Sequence, residues 1–137
     1  MHDYKNEVSV FKNGEKVQKS ILVVVSGNRP FDFMQSQTVR YAGFDGRIKN
    51  RNSTIPCTLM PVVSDNWSHY FKWNGMGEIP LEERQKLHDI ANKAKSEGYI
   101  LRFWNTPNHT TEQKNAVWME LKNAGVGLIG ADNINEI

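Results

Sequence analysis

Gly98-Tyr-Ile-Leu-Arg-Phe-Trp-Asn-Thr-Pro-Asn108 is the stretch that decides the fold of this chain, because it opens a strand–helix–strand unit. Tyr99–Trp104 predicts a strand whose carboxyl end carries a guanidinium, an indole and an amide. A helical segment follows and ends at Gly125, a residue type that adopts the left-handed conformation after a helix at little cost. The apolar run Val126–Ala131 then predicts a second strand with a polar end.

The helix between these strands has signals at its start and along one face. Thr110 can cap the first turn, and Gln113, three residues later, completes the pattern of a capping box. Val117, Leu121 and Ala124 lie at helical spacing and predict one buried stripe. The sequence therefore predicts a βαβ unit in this part of the chain.

The upstream sequence repeats this alternation of strands and helix-capable segments. Three apolar runs predict strands and two segments predict helices: strands Ile21–Val25, Tyr41–Phe44 and Thr58–Val63, and helices in Phe31–Val39 and between Pro80 and Gly98. Residues 1–20 are interpreted as a polar, short helical lead-in that carries the turn signal Asn13-Gly14. Strands that alternate with helices pair in parallel, and ligands bind beyond their carboxyl ends. The predicted fold class is therefore α/β, with residues 21–137 as a single βα domain.

The composition limits the classes of function. With 137 residues, 39% of them hydrophobic and 23% charged, the chain has room for one globular domain with a core. The formal net charge of +2 is too small to indicate nucleic-acid binding. No apolar run approaches the ~20 residues of a membrane helix, and the N-terminal sequence lacks the apolar region of a secretory signal. The single cysteine, Cys57, excludes an internal disulfide and a multi-cysteine metal site.

Five motifs, taken in order, resemble one family of enzymes. They are Val25-Ser-Gly-Asn-Arg-Pro30, Gly43-Phe-Asp-Gly-Arg47, Trp73-Asn-Gly-Met-Gly77, Leu101-Arg-Phe-Trp-Asn-Thr-Pro107 and Ala124-Gly-Val-Gly-Leu-Ile-Gly-Ala-Asp132. Together they resemble the phosphatidylinositol-specific phospholipase C-like and glycerophosphodiester phosphodiesterase-like superfamily of TIM barrels. The resemblance is to the C-terminal portion of the barrel. It implies parallel βα repeats that correspond to the last five or so strands of a (βα)8 barrel, since a complete barrel takes about 250 residues.

The resemblance implies a phosphoric diester hydrolase whose catalytic groups lie mostly on earlier strands. In the family, two histidines act as general acid and base, and Glu and Asp side chains bind Ca²⁺ or Mg²⁺. None of these has a counterpart in this sequence, so the resemblance assigns no catalytic residue, no metal ligand and no cofactor to the chain. It implies that the chain alone is inactive and supplies walls of a substrate site, formed by Arg102, Trp104, Asn28, Asp45 and Asp132.

Each of these residues also has a structural interpretation. Arg102 alternates with its apolar neighbours, and inside a barrel it would form a salt bridge with Asp45 or Asp132. Trp104, on the same face, would pack in the core. The two aspartates would cap turns or helices, which is equally natural for Asp at the end of a strand.

Two further features have competing interpretations. His109 is the best placed histidine for proton transfer, because it follows a strand. It also lies among loop-forming residues, which favours a solvated side chain. The aromatic insert Trp67–Trp73 is interpreted either as a lid that contacts lipid or as a small core beneath a long loop.

The sequence leaves three functional hypotheses open. In the first, the chain is the C-terminal portion of a phospholipase C-like hydrolase for a phosphodiester or phospholipid-type molecule. Its open sheet edges would then be covered by self-association as a homo-oligomer or by an N-terminal half. In the second, it is a stand-alone doubly wound α/β domain that binds a small ligand or a protein partner. In the third, it is an inactive binding module that keeps only the phosphodiester wall. Strand order separates the first two hypotheses, since a doubly wound sheet reverses its order at a switch point.

Overall fold

The structure is a computed structural model that describes residues 4–52, 54–131, 133 and 135 of the chain. The chain divides into two compact units, Met1–Val63 and Ser64–Ile137. Each unit combines strands with helices, and each is described on its own below.

The first unit begins with a β-hairpin, so the helical lead-in predicted for residues 1–20 was wrong. β1 (Val10–Lys12) pairs antiparallel with β2 (Glu15–Val17) around the turn Asn13-Gly14. Both turn residues have positive φ, 54° and 76°. Asn and Gly are the residues that adopt this conformation most readily, and a two-residue turn of this kind matches the twist of a hairpin. The Asn-Gly turn therefore specifies the structure of a segment that is otherwise polar.

Two strands of the first unit form its parallel sheet, and a third begins there. β3 (Val23–Val25) pairs in parallel with β5 (Ala42–Gly46), and β5 pairs in parallel with the first residues of β6 (Val62–Asn66). The third predicted strand, Thr58–Val63, is thus shifted towards the C-terminus. Pro61 lacks the amide that a ladder needs and lies just before the strand instead of within it.

The helix of the first unit is shorter than predicted. α1 spans Phe31–Ser36. The residues after it form β4 (Val39–Arg40), which joins β1 in a small antiparallel sheet of order β2–β1–β4. Val39, which was predicted to be helical, takes part in this sheet because its pairing partner is the hairpin, which the sequence analysis had not recognised.

The second unit has the predicted strand–helix–strand order. It contains α2 (Leu81–Ser96), β7 (Ile100–Trp104), α3 (Thr111–Asn123) and β8 (Leu128–Ile129). The capping box on α3 is confirmed. The Thr110 hydroxyl accepts a hydrogen bond from the backbone N–H of Gln113 at 3.2 Å, and the Gln113 side-chain oxygen accepts one from the backbone N–H of Thr110 at 3.2 Å. β8 is shorter than the predicted run.

Both long helices end in the same way. Gly98 follows α2 with φ 83° and Gly125 follows α3 with φ 78°. At each end, the amides of the glycine and of the next residue donate back to carbonyls of the last turn, at 2.9 to 3.1 Å. This is the Schellman motif, which satisfies carbonyls that the helix leaves without partners. At both places the motif ends the helix and directs the chain towards the next strand.

The core of the second unit contains an aromatic cluster. The rings of Trp67, Phe71 and Phe103 lie with centroids 4.2 to 5.7 Å apart, and all three side chains are at most 3% exposed. The predicted stripe of α3 is buried. The aromatic insert therefore forms a core beneath a loop. The Trp67 indole donates a hydrogen bond to the Trp73 backbone carbonyl, and the Trp73 indole donates one to the Met76 backbone carbonyl, each at 3.0 Å.

The larger sheet has the strand order β3–β5–β6–β7–β8. The pairs β3–β5, β5–β6 and β7–β8 are parallel. The α/β class with a parallel sheet is therefore confirmed, and among the described strands the order follows the chain without a reversal. A search of the described residues finds no helix that is both long and apolar enough to cross a membrane.

Candidate functional site

The carboxyl end of β7 places a guanidinium and an indole on one face of the strand. Leu101 and Phe103 are buried, whereas Arg102 is half-buried and Trp104 is 39% exposed. This is the alternation expected for a strand with one face on the core. β8 lies beside it in parallel, with Leu128 opposite Arg102. Arg102 and Trp104 are therefore brought together, and both line the same pocket.

The Arg102 guanidinium lies against the backbone that follows β8. A Cβ atom added to Gly130 would be 3.7 Å from Nη2 and 3.9 Å from Nε of Arg102. Among the residues that the structure describes, Arg102 makes no hydrogen bond and no ion pair. Of the two carboxylates in the structural interpretation of Arg102, Asp45 belongs to the first unit and Asp132 lies outside the described residues.

Unlike Arg102, a second arginine of the same unit has a carboxylate partner among the described residues. Arg84 on α2 donates two hydrogen bonds to the Glu120 carboxylate on α3, from Nε at 3.1 Å and from Nη2 at 2.8 Å. The hydrogen bonds to Glu120 raise the pKa of Arg84 above its ordinary value. Arg84 is therefore a structural residue that joins two helices, whereas Arg102 keeps its donors available at the pocket.

The pocket has a volume of about 660 Å³ and extends from β7 to α3. Its lining comes from the end of β7, the following loop, the first turns of α3 and the segment after β8: Arg102, Phe103, Trp104, Asn105, Thr106, Asn108, His109, Thr110, Thr111, Lys114, Trp118, Gly130, Ala131 and Asn133. The charged or titratable side chains of this lining are Arg102, His109 and Lys114. Asp and Glu do not occur in the described part of the lining, so its electrostatic character is cationic.

The loop after β7 is anchored by a strained residue. Asn105 has φ 53°, the left-handed region that Asn accepts more readily than most residues. Its side-chain amide donates to the Asn66 side-chain oxygen at 3.0 Å, and that same oxygen accepts from the Ser68 amide at 3.1 Å. The ends of β6 and β7 are thereby held together, and the loop begins from a fixed position.

Two lining residues on α3 were missed by sequence reasoning. Lys114 and Trp118 are one helical turn apart, and the Lys114 Nζ lies 5.3 Å from the centroid of the Trp118 ring. The capping box fixes where the first turn of α3 starts, so the i, i+4 spacing of a lysine and a tryptophan could have indicated this pair. His109 also lines the pocket and is exposed, so both interpretations of this histidine agree with its position.

The negative charge of Glu112, at the start of α3, is stabilised by groups next to it in the chain. Glu112 accepts a hydrogen bond from its own backbone amide and one from the Thr110 side chain, and these hold the pKa of its carboxyl below the ordinary value. Glu112 is exposed and does not belong to the pocket lining. It stabilises the helix start that carries Lys114.

A buried carboxylate at the end of β6 was also missed. The Asp65 side chain is 10% exposed; it accepts from the Tyr70 hydroxyl at 3.1 Å and from the Asn66 amide at 3.0 Å. The His69 Nδ1 is 3.5 Å from its Oδ1. The predicted strand ended at Val63, so Asp65 was expected to lie beyond the strand, and its burial within β6 was not predicted.

The other two described residues of the expected site belong to the first unit. Asp45 is 4% exposed; it accepts from the Ser26 hydroxyl at 3.2 Å and lies 3.7 Å from the Arg47 guanidinium. Arg29 donates to the Asp45 backbone carbonyl. Asn28 is exposed and lines a separate pocket of about 310 Å³. Asp45 thus organises the ends of β3 and β5.

The resemblance to phosphodiesterases implies Ca²⁺ or Mg²⁺ in the complete domain. Among the described residues, no group of three His, Cys, Asp or Glu side chains is placed to hold a metal ion. Ca²⁺ takes six to eight oxygen ligands, and Mg²⁺ takes six, of which one or two are carboxylates and several are waters. The described residues therefore offer no clustered set of such side chains to either ion.

No protein-family model matches the chain, and no solved structure matches it. The chain is 31% identical over 138 residues to a protein of Arthroderma benhamiae described as an altered inheritance of mitochondria protein 6 homolog. The aligned region covers 95% of this chain and 42% of that protein, so the chain spans less than half the length of the relative. The description of the relative names no reaction and no ligand.

Proposed function

We propose that the chain is the C-terminal portion of a phospholipase C-like phosphodiester hydrolase and that the pocket beside β7 is the phosphate-binding wall of its substrate site. The observation that carries the proposal is the half-buried Arg102 guanidinium, which has no protein partner among the described residues and faces a pocket of cationic character. A phosphoryl group is the ligand that a planar guanidinium binds best, through two parallel hydrogen bonds.

The neighbouring side chains suit the rest of such a ligand. Lys114 adds a second positive charge to the lining, and Asn105 and Thr106 add polar groups. Trp104 and Trp118 provide aromatic faces, against which the apolar face of a glycerol or cyclitol group can pack. The pocket therefore offers positive charge for an anionic head and aromatic surface for a compact organic group.

Strand order favours this proposal over the doubly wound alternative. The strands β3–β5–β6–β7–β8 are neighbours in chain order, as in a segment of a βα barrel. A doubly wound domain would have its ligand at a reversal of strand order. The greater length of the Arthroderma benhamiae relative also agrees with a chain that is one portion of a larger domain.

The proposal includes a partner for the open edge of the sheet. β8 is the last strand in the order, and its Leu128 and Ile129 side chains are 44% and 38% exposed. Exposed apolar edge strands associate readily unless they are covered. Either a second copy of the chain or an N-terminal half of the barrel would cover this edge. Size-exclusion chromatography with light scattering separates the two, because a well-folded monomer at all concentrations contradicts self-association.

The phosphate wall is tested by titration of the ¹⁵N-labelled chain with glycerol 3-phosphate, with uncharged glycerol as the reference. Amide signals of the pocket lining should shift saturably with the phosphate ester only. Arg102→Gln should weaken binding by about tenfold to a hundredfold, since a hydrogen bond to a charged group contributes about 1.5–3 kcal/mol. Lys95→Gln removes the same charge from an exposed position in the same unit and should bind as the wild type does. Equal binding by the Arg102→Gln variant would overturn the assignment.

A second experiment tests whether the catalytic groups lie outside this chain. The chain alone, incubated with bis(p-nitrophenyl) phosphate and Ca²⁺ or Mg²⁺, should release no nitrophenol above the rate of buffer. Clear turnover that is lost in the Arg102→Gln variant would mean that the chain carries the acid–base groups that we assign to another portion of the domain.

A further inference from the structure

The first unit contains a second arginine with few protein partners, far along the chain from Arg102. Arg40 lies in β4, and its Nη1 and Nη2 both point at one acceptor, the Thr58 carbonyl oxygen, at 3.4 and 3.3 Å. These are long hydrogen bonds. Among the described residues, no carboxylate forms an ion pair with Arg40. Of its five N–H donors, at least three therefore lack a protein acceptor there.

The position of this guanidinium is fixed by packing. Its central carbon lies 5.3 Å from the centroid of the buried Phe11 ring, on the neighbouring strand β1. Phe11 is the pairing partner of Arg40 in the β1–β4 ladder. Burial also lowers the pKa of Arg40 below its ordinary value, because a charge that loses water is destabilised. A half-buried, oriented cation that has no ion pair among the described residues is suited to an anionic ligand.

Arg40 lines a groove of about 280 Å³ that has its own polar groups. The groove runs between the hairpin turn, the end of α1 and the segment before β6, and is lined by Phe11, Lys12, Asn13, Gly14, Gln35, Gln37, Thr38, Arg40, Pro56, Thr58 and Leu59. Its charged side chains are Lys12 and Arg40, and its neutral polar groups include two glutamine amides. Glu15 pairs with Lys12 across the hairpin, but it is not part of the lining.

We propose that this groove is a binding site for a small oxyanion, the carboxylate or phosphate group of a small molecule, held by the fork of Arg40. Lys12 adds charge, and Gln35 and Gln37, which line the same groove, carry side-chain amides that can donate to the remaining oxygens. The apolar floor, made by Phe11 and Leu59, accommodates a short carbon chain. The site lies in Met1–Val63 and shares no residue with the pocket beside β7, so it is separate from the function proposed above.

The test is a titration of the ¹⁵N-labelled full chain at constant ionic strength, once with sodium phosphate and once with sodium acetate. Saturable shifts are expected at amides that line the groove, including Gly14 and Thr38. Arg40→Gln should weaken binding by at least about tenfold, equivalent to about 1.4 kcal/mol. Lys49→Gln removes one charge from an exposed position of the same unit and should leave binding unchanged. Saturation by only one of the two anions identifies the class of oxyanion.

A second variant keeps the test decisive if the loss of Arg40 disturbs the fold. Gln37 is exposed at the rim, so Gln37→Glu adds a negative charge to the groove and leaves the contacts of Arg40 with Phe11 and Thr58 in place. This variant should also weaken binding by about tenfold or more, which is about 1.4 kcal/mol. Shifts that stay linear in anion concentration would overturn the proposal. Saturable shifts that persist equally in both variants would also overturn it.

Discussion

The unit Ser64–Ile137 has α-helices of 16 and 13 residues, whereas the α-helix of Met1–Val63 has six residues and no side-chain cap. In the second unit, two glycine-terminated helices and a capping box lie where local sequence signals predict them. In the first unit, the strands have two to five residues and one of them pairs with a hairpin distant in sequence. The second unit is thus specified largely by local signals, and the first largely by tertiary pairing.

The largest expected effect concerns the aromatic core of the second unit. Phe103 is 1% exposed and contacts three other rings. Phe103→Ala should lower the free energy of unfolding by about 3–5 kcal/mol, since it removes buried surface and leaves a cavity. Urea denaturation followed by tryptophan fluorescence measures this, because all four tryptophans lie in this unit. Met119→Ala, at a side chain 57% exposed, is the matched control and should change stability little.

A smaller loss of stability is expected at Gly75, where the chain after the aromatic insert lies against α3. Gly75 has φ +86°, and an added Cβ would lie 2.6 Å from the Gln113 carbonyl oxygen. Gly75→Ala should therefore destabilise the unit by about 1–3 kcal/mol, the range for steric overpacking. Gly77 is also left-handed, with φ +62°, but nothing lies within 4 Å of its added Cβ. Gly77→Ala isolates the backbone penalty. Equal losses in the two variants would mean that steric contact contributes nothing at Gly75.

A change in the hairpin turn tests the first unit. Gly14 has φ +76° with open space around an added Cβ, so Gly14→Ala should cost about 1 kcal/mol through the left-handed backbone alone. Amide exchange over residues 10–17 should then speed up about fivefold, since 1.4 kcal/mol corresponds to a factor of ten. Gly14→Asn should retain more protection, because Asn tolerates this conformation. Unchanged exchange in Gly14→Ala would contradict a stability role for the turn.

The smallest effect is the pH dependence at the start of α3. Because hydrogen bonds lower the folded-state pKa of Glu112, its ionised form stabilises the helix above the ordinary pKa of a glutamate, about 4.3. That stabilisation is lost as pH falls through the lower folded-state value. The melting temperature of the wild type should exceed that of Glu112→Gln at pH 7, and the difference should shrink on acidification below about pH 4. A difference that grows in acid would contradict this sign.

Features that depend on neighbouring residues were predicted, and features that depend on tertiary pairing or packing were not, in both units. Strand β7, the α3 cap and the glycine stops were predicted because each depends on residues within a few positions of one another. The hairpin was missed because the Asn13-Gly14 turn lies in a segment of little apolar content. The burial of Asp65 was missed because Pro61 shifts the start of β6.

In the candidate site, the lining residues of one strand were predicted, and those of the helix that packs beside the sheet were not. Alternation along one strand placed Arg102 and Trp104 on the same face, and the family resemblance implied that they are walls of a substrate site; both line the pocket. Lys114 and Trp118 line it because α3 packs beside β8, a contact that the pattern of strands alone does not indicate. Asp45 was expected as a site wall because it ends a strand, yet the structure surrounds it with Ser26 and Arg47.

The pocket beside β7 has a consequence for how such a site can evolve. Its described lining residues all come from one stretch of the chain, between Arg102 and Asn133. That piece contains its own helix start at Thr110 and its own helix stop at Gly125. Recombination with breakpoints just outside it would transfer the described pocket lining together with the signals that start and end α3. The lining and these signals would therefore be inherited together.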